Sequence, residues 1–297
     1  MKKEKKEEGK VRVIMIMMVM MGCNSGGRDP EKVFLSDIAN LGKGFLDVFV
    51  SFGDMITGTL GIKAETKKSE IGGYFSKIAE TMKLVKGKLS KILEEHGSYE
   101  KVKVKVEEFI GEISKIEEGA KEAALGAIGS ELIGNAVKDQ EAVPADTESV
   151  NSLVKGIKVM VGVVLKRDEG NAEATKTGDT EQKSIGKLFS SKKSEDGTET
   201  QAAASATIGA VSGVDILKAI AKSDVVSSDP KVESAKNAAD IEAAKKEESK
   251  DLNASKKDAV IAGGIALRAM EKAGKFVAKK EMKINRLLLL MEQCQVQ

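Results

Sequence analysis

Few side chains in this 297-residue chain are placed to do covalent chemistry, and Cys23 is the best placed of them. It follows Met20-Met21-Gly22 and precedes the polar, flexible Asn24-Ser25-Gly26-Gly27. Upstream stand Lys2, Lys3, Lys5, Lys6, Lys10 and Arg12, diluted by Glu4, Glu7 and Glu8, and then the uncharged run Val13 to Met21. A basic region, a short apolar core and a small residue at the cut predict a secretory signal peptide over 1–22. The nine apolar residues rise only about 14 Å as a helix, short of a membrane core of ~30 Å. Cleavage before Cys23 presents a thiol and a free amine on one residue, and both accept acyl chains. Such acylation anchors a chain to a membrane without threading it through. Met21 stands where a smaller side chain is usual, so an ordinary cleaved signal is the plainer alternative.

The other reactive types are too sparse for a catalytic centre. His96 is the only histidine, which removes His-based triads and two-His metal sites. It stands beside Gly97 at a predicted helix end, where compensating the helix dipole is the plainer role. Glu94-Glu95, Glu107-Glu108 and Glu117-Glu118 read as solvated helix faces, not as acid–base pairs. Gly126, Gly129 and Gly134 lack dinucleotide-loop spacing, and no phosphate-loop motif occurs. Asp168, Glu169, Asn171 and Asp179 are not at EF-hand spacing. Cys294 has no partner within the chain if Cys23 is acylated. The sequence therefore predicts no catalytic, cofactor-binding or metal-binding residue, and one modification site, lipidation at Cys23.

The elements around Cys23 are helical. The chain has no Trp, three Pro and few aromatics, and Ala, Lys, Glu and aliphatic residues dominate. Loss of 1–22 leaves a near-neutral mature chain, which gives no electrostatic case for nucleic-acid binding. Phe45, Phe49, Phe52, Ile56 and Leu60 form one helical face within 34–60. Phe75, Ile78, Met82, Val85, Leu89 and Ile92 step alternately by 3 and 4, a heptad seam. The alternating Lys101–Val106 run is read as the start of a helix, since Val106, Phe109, Ile110, Ile113 and Ile116 continue a helical stripe. Two antiparallel helices joined near residue 97 are the predicted unit.

Residues 119–138 are read as an Ala/Gly-rich continuation of that second helix. Val150, Leu153, Val154, Ile157, Val161 and Val164 predict a further helix after the break at Pro144. Segments 168–183 and 190–200 read as polar loops flanking a short turn anchored by Ile185, Leu188 and Phe189. One alanine-rich helix is predicted over 201–222, a turn over 223–230 and a largely solvated Ala/Lys/Glu helix over 231–250. Residues 256–278 return to core character.

Several stretches also carry a family resemblance: GCNSGG (22–27), DPEKVFLSDIANLGKGFLDVFVSFGDMITGTLGIKAETKK (29–68), VNSLVKGIKVMVGVVLK (150–166), EGNAEATKT (169–177), KSIGKLFSSKK (183–193), ASATIGAVSGVDILKAIAKS (204–223) and KDAVIAGGIALRAMEKAGKF (257–276). The chain resembles the variable large proteins, the major surface lipoproteins of relapsing-fever spirochetes of the genus Borrelia. It is more distantly similar to the variable surface antigen of their Lyme-disease relatives. The resemblance implies an all-α fold: an elongated antiparallel helical bundle with polar surface loops, lipid-anchored at the N-terminus. It implies a monomer or weak homodimer without catalysis or cofactor, displayed on the cell outer membrane and facing host antibodies, whose function is antigenic variation and evasion of the immune response. Cys23 matches the family's acylated cysteine.

The resulting division is a signal over 1–22, a tether over 23–33, a helical antigen domain over 34–278 and an atypical tail over 279–297. Residues 168–200 and 223–256 are the segments expected to be most exposed and most variable. The family continues with an alanine-rich helix where this chain ends in RLLLLMEQCQVQ, so a frameshift or truncation after about Lys279 is expected. A host-ligand adhesin and a periplasm-facing structural lipoprotein are the alternative functions.

Overall fold

The computed structural model describes residues 66–96, 100–133, 136–138, 141–189, 197–226, 230–245 and 250–278. The signal, Cys23, the 34–60 stripe and the 279–297 tail lie outside them. Two compact units divide the chain: one takes in Met1–Gly53 and Thr81–Ser114, the other Asp54–Glu80 and Lys115–Gln297. Helices α1 (Lys68–His96) and α2 (Glu100–Gly126) each contribute to both. The 101–106 alternation is helical, as its longer stripe predicted.

In the first unit Met82, Val85 and Leu89 of α1 and Val106 and Ile113 of α2 are buried. The seam positions Met82, Val85 and Leu89 are thus withdrawn from water, while Leu84, off the seam, is exposed. The second unit holds the remaining described elements: α3 (Thr147–Val164), α4 (Asp179–Ser184), α5 (Gly197–Gly209), α6 (Gly213–Ala221), α7 (Ala238–Ala243) and α8 (Asp258–Met270). Two 3-10 helices, Ile185–Phe189 and Val232–Ser234, lie between them. Helix α8 is central, packing on α5, α6 and α7, and α3 packs on α6 and α7.

The described fold is mostly helical, as the all-α reading expects, with one short strand pair added. Strands β1 (Ala136–Lys138) and β2 (Phe276–Ala278) pair in parallel, Val137 opposite Val277. Val143 and Lys275 add a reciprocal antiparallel bridge. The reading of 119–138 as one helix fails because α2 stops at Gly126. Beyond it the Gly129 and Glu131 carbonyls accept from the Ser69 and Lys68 amides at 2.7 and 2.8 Å. Those amides open α1, where a helix has no internal acceptors to offer. The chain after α2 is extended because it caps the start of α1.

Two further readings are corrected. The 201–222 helix is two helices meeting at 95°. Ser212 and Asp215 form a reciprocal capping box that starts α6, a signal already written as Ser-x-x-Asp. The 231–250 segment is not a solvated helix. Among its described residues only α7 and a 3-10 turn form, and Ala235, Ala238, Ala239, Ile241, Glu242, Ala243 and Ala244 are buried. Its small side chains serve close approach. A Cβ on Gly264 of α8 would lie 2.5 Å from Ile241 Cγ2.

The α2–α3 crossing uses the same device. Helix α3 buries Val150, Leu153, Val154, Gly156, Ile157, Met160 and Val161. A Cβ on Gly156 would stand 2.4 Å from the Gly119 carbonyl oxygen and 2.5 Å from the Ala123 nitrogen. Gly162 on the same helix has open space around it. Gly156→Val is therefore expected to cost about 1–3 kcal/mol or more by overpacking. Gly162→Ala should stabilise by roughly 0.5–1 kcal/mol by removing glycine's backbone entropy. Urea unfolding of both variants checks this; equal and small effects would show that the crossing is not tight.

Candidate functional site

None of the described residues forms a group of three or more His, Cys, Asp or Glu able to hold a metal ion. What they contain is a set of buried charges that fasten surface segments to the helices. The largest lies between the start of α1 and the end of α8. Arg268, towards the end of α8, is fully buried with Lys68, Glu242 and Glu271.

The two Nη groups of Arg268 are satisfied by carbonyl oxygens, while its buried Nε has no partner. Its Nη1 donates to Val143 O at 3.0 Å and Lys275 O at 3.4 Å. Its Nη2 donates to Ala244 O at 3.0 Å and to the Glu242 carbonyl. The guanidinium also lies 4.6 Å from the centroid of the Phe189 ring, a favourable cation–π placement. That ring meets Phe276 of β2 edge-on at 5.9 Å. One side chain thus joins the end of α7, the 143 bridge, the approach to β2 and the 185–189 turn.

Lys68 works from the start of α1. Its ammonium donates to Gly274 O at 2.6 Å and Arg268 O at 3.4 Å. Burial pulls its pKa down to about 8, against the pull of Glu271 and Glu131. Burial likewise lowers Arg268 to about 10. The Glu271 carboxylate accepts from the amides of Gly274, Ala273 and Asp146 at 2.6, 2.9 and 3.1 Å. Burial raises its pKa, and those three donors act against the rise.

The polar segments are fastened in the same way. Asp258, buried at the start of α8, accepts from Lys176 N at 2.6 Å, Thr177 N at 2.9 Å, Thr177 Oγ1 at 2.5 Å and Gln182 Nε2 at 2.9 Å. Burial acts to raise its pKa, but these donors hold it below the usual carboxylate value. Asp215 of α6 accepts the Asn171 amide at 2.6 Å. Asn151 of α3 exchanges two hydrogen bonds with the Val226 backbone, at 2.8 and 3.0 Å.

The expectation that 168–200 and 223–256 are exposed is therefore corrected in part. Arg167, Asp168, Glu169, Asn171, Glu173, Thr175, Lys176 and Asp179 to Glu181 face solvent. Yet Ala172, Gln182, Ile185, Leu188 and Phe189 are buried among or just after them. The turn predicted from Ile185, Leu188 and Phe189 is present as the 3-10 helix. Within 223–256, Val226, Val232, Leu252 and Ser255 are buried, while Asp224, Val225, Lys231, Lys236 and Lys256 are exposed. The sequence reading did not find the buried charges. One signal was present: Asp258 and Arg268 are the only charges in the run DAVIAGGIALRAM.

Replacing Arg268 by Met keeps the apolar stem and removes every donor. This should cost about 3–5 kcal/mol, because four carbonyls and the nearby carboxylates lose their cation. Arg268→Lys should recover little, since one ammonium cannot span two carbonyl pairs as the planar fork does. Urea denaturation of the mature chain measures both. A loss below about 1 kcal/mol for Arg268→Met would show that the carbonyls find other donors.

With the geometry in place, comparison with known proteins assigns the chain. A sequence profile described as Borrelia lipoprotein matches residues 45–286. Variable large protein 17 of Borrelia hermsii is 54% identical over 276 residues, covering 90% of this chain and 78% of the relative. Variable large protein 4 of the same organism is 50% identical over 283 residues, covering 91% and 80%. The crystal structure of the Lyme disease variable surface antigen VlsE of Borrelia burgdorferi superposes with a TM-score of 0.64 at 29% identity, covering 87% of each chain. The fold is accordingly that of a mostly helical surface antigen, and the chain belongs to the Borrelia lipoprotein family, alongside the variable large proteins.

Proposed function

We propose that the chain is exported, cut before Cys23, acylated there and displayed on the outer membrane as an antigen. Its role is antigenic variation and evasion of host antibodies, with no catalysis. The observation that carries this reading is the 54% identity to a variable large protein over 90% of the chain. The architecture supports it. Solvent-facing side chains from Arg167 to Glu181 stand on backbone held by Asp215 and Asp258. Exposed positions away from such anchors change stability by about ±0.5 kcal/mol or less when substituted. A surface of this kind can present new side chains to antibodies while the interior stays fixed.

The exposed positions within 168–200 and 223–256 are the ones proposed to vary between alleles. More than one acyl chain on Cys23 gives stable anchoring, since a single chain binds a bilayer only marginally. The outer membrane and host antibodies are the partners, nucleic acid is not one, and self-association is at most a weak homodimer. No single helix among the described residues is long and apolar enough to cross a membrane.

Two measurements on cells test this together. Palmitate labelling should mark the wild-type chain and be lost in Cys23→Ser. Protease applied to intact cells should remove the full-length band while a periplasmic marker survives. Label retained by Cys23→Ser would remove the anchor site. A protected band would place the chain in the periplasm and overturn the display role.

A further inference from the structure

Glu242 is fully buried on α7, and neither of its carboxylate oxygens has a hydrogen-bond partner. Its surroundings explain what form it takes. Arg268 on α8 is the nearby guanidinium, but its Nη donors are directed to backbone carbonyls, including that of Glu242 itself. Glu271, just past α8, shares the cluster and holds three amide donors. Of the two carboxyl groups, Glu271 is equipped to carry negative charge and Glu242 is not. Two carboxyls in one buried site do not both ionise cheaply. An orphaned neutral carboxyl costs a few kcal/mol, and an orphaned carboxylate far more.

We propose that Glu242 is held as a neutral acid in the folded chain, and that its ionisation at rising pH loosens α7 from α8 and from the 271–278 segment. The groups acting on it are Glu271, Arg268 and Lys68, from the end of α8, α8 itself and the start of α1. On its own helix, Asp240 is bonded to Asn237. The charged residues of the other packed helices are Glu148, Lys155 and Lys158 on α3 and Asp215 and Lys218 on α6, with Lys222 at its end. All are exposed or half-buried.

Burial and the charge of Glu271 both push the Glu242 carboxyl well above the ordinary value of 4.5. A carboxyl whose folded pKa exceeds its unfolded one gives stability that is complete below the unfolded value. That stability is lost as pH rises through the folded value. Lys68, lowered to about 8, produces the opposite slope only above that pH. Glu271, whose pKa burial also raises, gives a slope of the same sign in the range between the two, so the wild type is read relative to variants that lack the Glu242 carboxyl.

The test compares urea unfolding of the mature wild-type chain, Glu242→Gln and Glu242→Leu from about pH 5 to about pH 7.5. The wild-type unfolding constant, relative to either variant, should rise at least about tenfold across that range. A ratio that stays flat, or one that moves the other way, would make Glu242 an ionised partner of Arg268 and overturn the proposal. Infrared spectra of the wild type with carbon-13-labelled glutamate give a readout that needs no variant to fold. A protonated-carboxyl band present at neutral pH and lost on further alkalinisation is expected. Absence of that band at neutral pH also overturns the proposal.

Discussion

A guanidinium taken out of water must find acceptors, and this requirement at Arg268 organises the described part of the second unit. Five N–H donors in a planar fork are a large debt to leave unmet in an apolar helix. The chain meets four of the five with carbonyls from three separate stretches, at Val143, at Glu242 and Ala244, and at Lys275, and leaves Nε without a partner. Their arrival around one cation fixes where α7 ends and where β2 begins. Lys68 repeats the device at the start of α1, so the residues leading into α1 and those leaving α8 are held side by side.

The same logic governs the polar segments. A loop with few hydrophobic side chains cannot be held by hydrophobic contact, yet a buried carboxylate offers it several strong acceptors. The buried Asp258 holds 176–182 in this way, and the half-buried Asp215 holds the Asn171 amide nearer the surface. The neutral amide of Asn151 does likewise for Val226. In each case the anchor sits on a helix and reaches backbone or a recessed side chain. Some outward side chains join in: Glu169 accepts from the Lys166 amide, Asn171 from the Glu173 amide and Thr175 Oγ1 from Gln182 Nε2. Helix anchors and these local bonds together set the loop conformation, and the exposed positions outside them are the ones suited to a surface antigen that changes its face.

Much of the scaffold was legible because periodic apolar spacing reports burial directly. The stripe from Val150 to Val161 became the buried face of α3, and Ile185, Leu188 and Phe189 became an anchored turn. Alanine and glycine were misread, because the same residues suit a solvated helix and a tight crossing. Ala238 and Ala239 resolve as the second only because Gly263 and Gly264 lie against α7. The break between α5 and α6 was written in the capping box at Ser212, but alanine-rich propensity on both sides outweighed it. Buried charges were invisible to a reading that assigns charge to solvent. A lone Arg268 in an apolar run was the place to doubt that assignment. Cys23, the one predicted modification site, lies outside the described residues.

Native-state hydrogen exchange on the mature chain tests most directly whether interior polar anchors set the loop conformation. The amides of Asn171, Lys176, Thr177 and Val226 donate to Asp215, Asp258 and Asn151, and not to any helix or sheet ladder. They should therefore exchange as slowly as interior amides of α3, only through large opening events. Exchange at the rate of an unstructured peptide would mean that these segments are free loops, and that the buried charges serve the core alone.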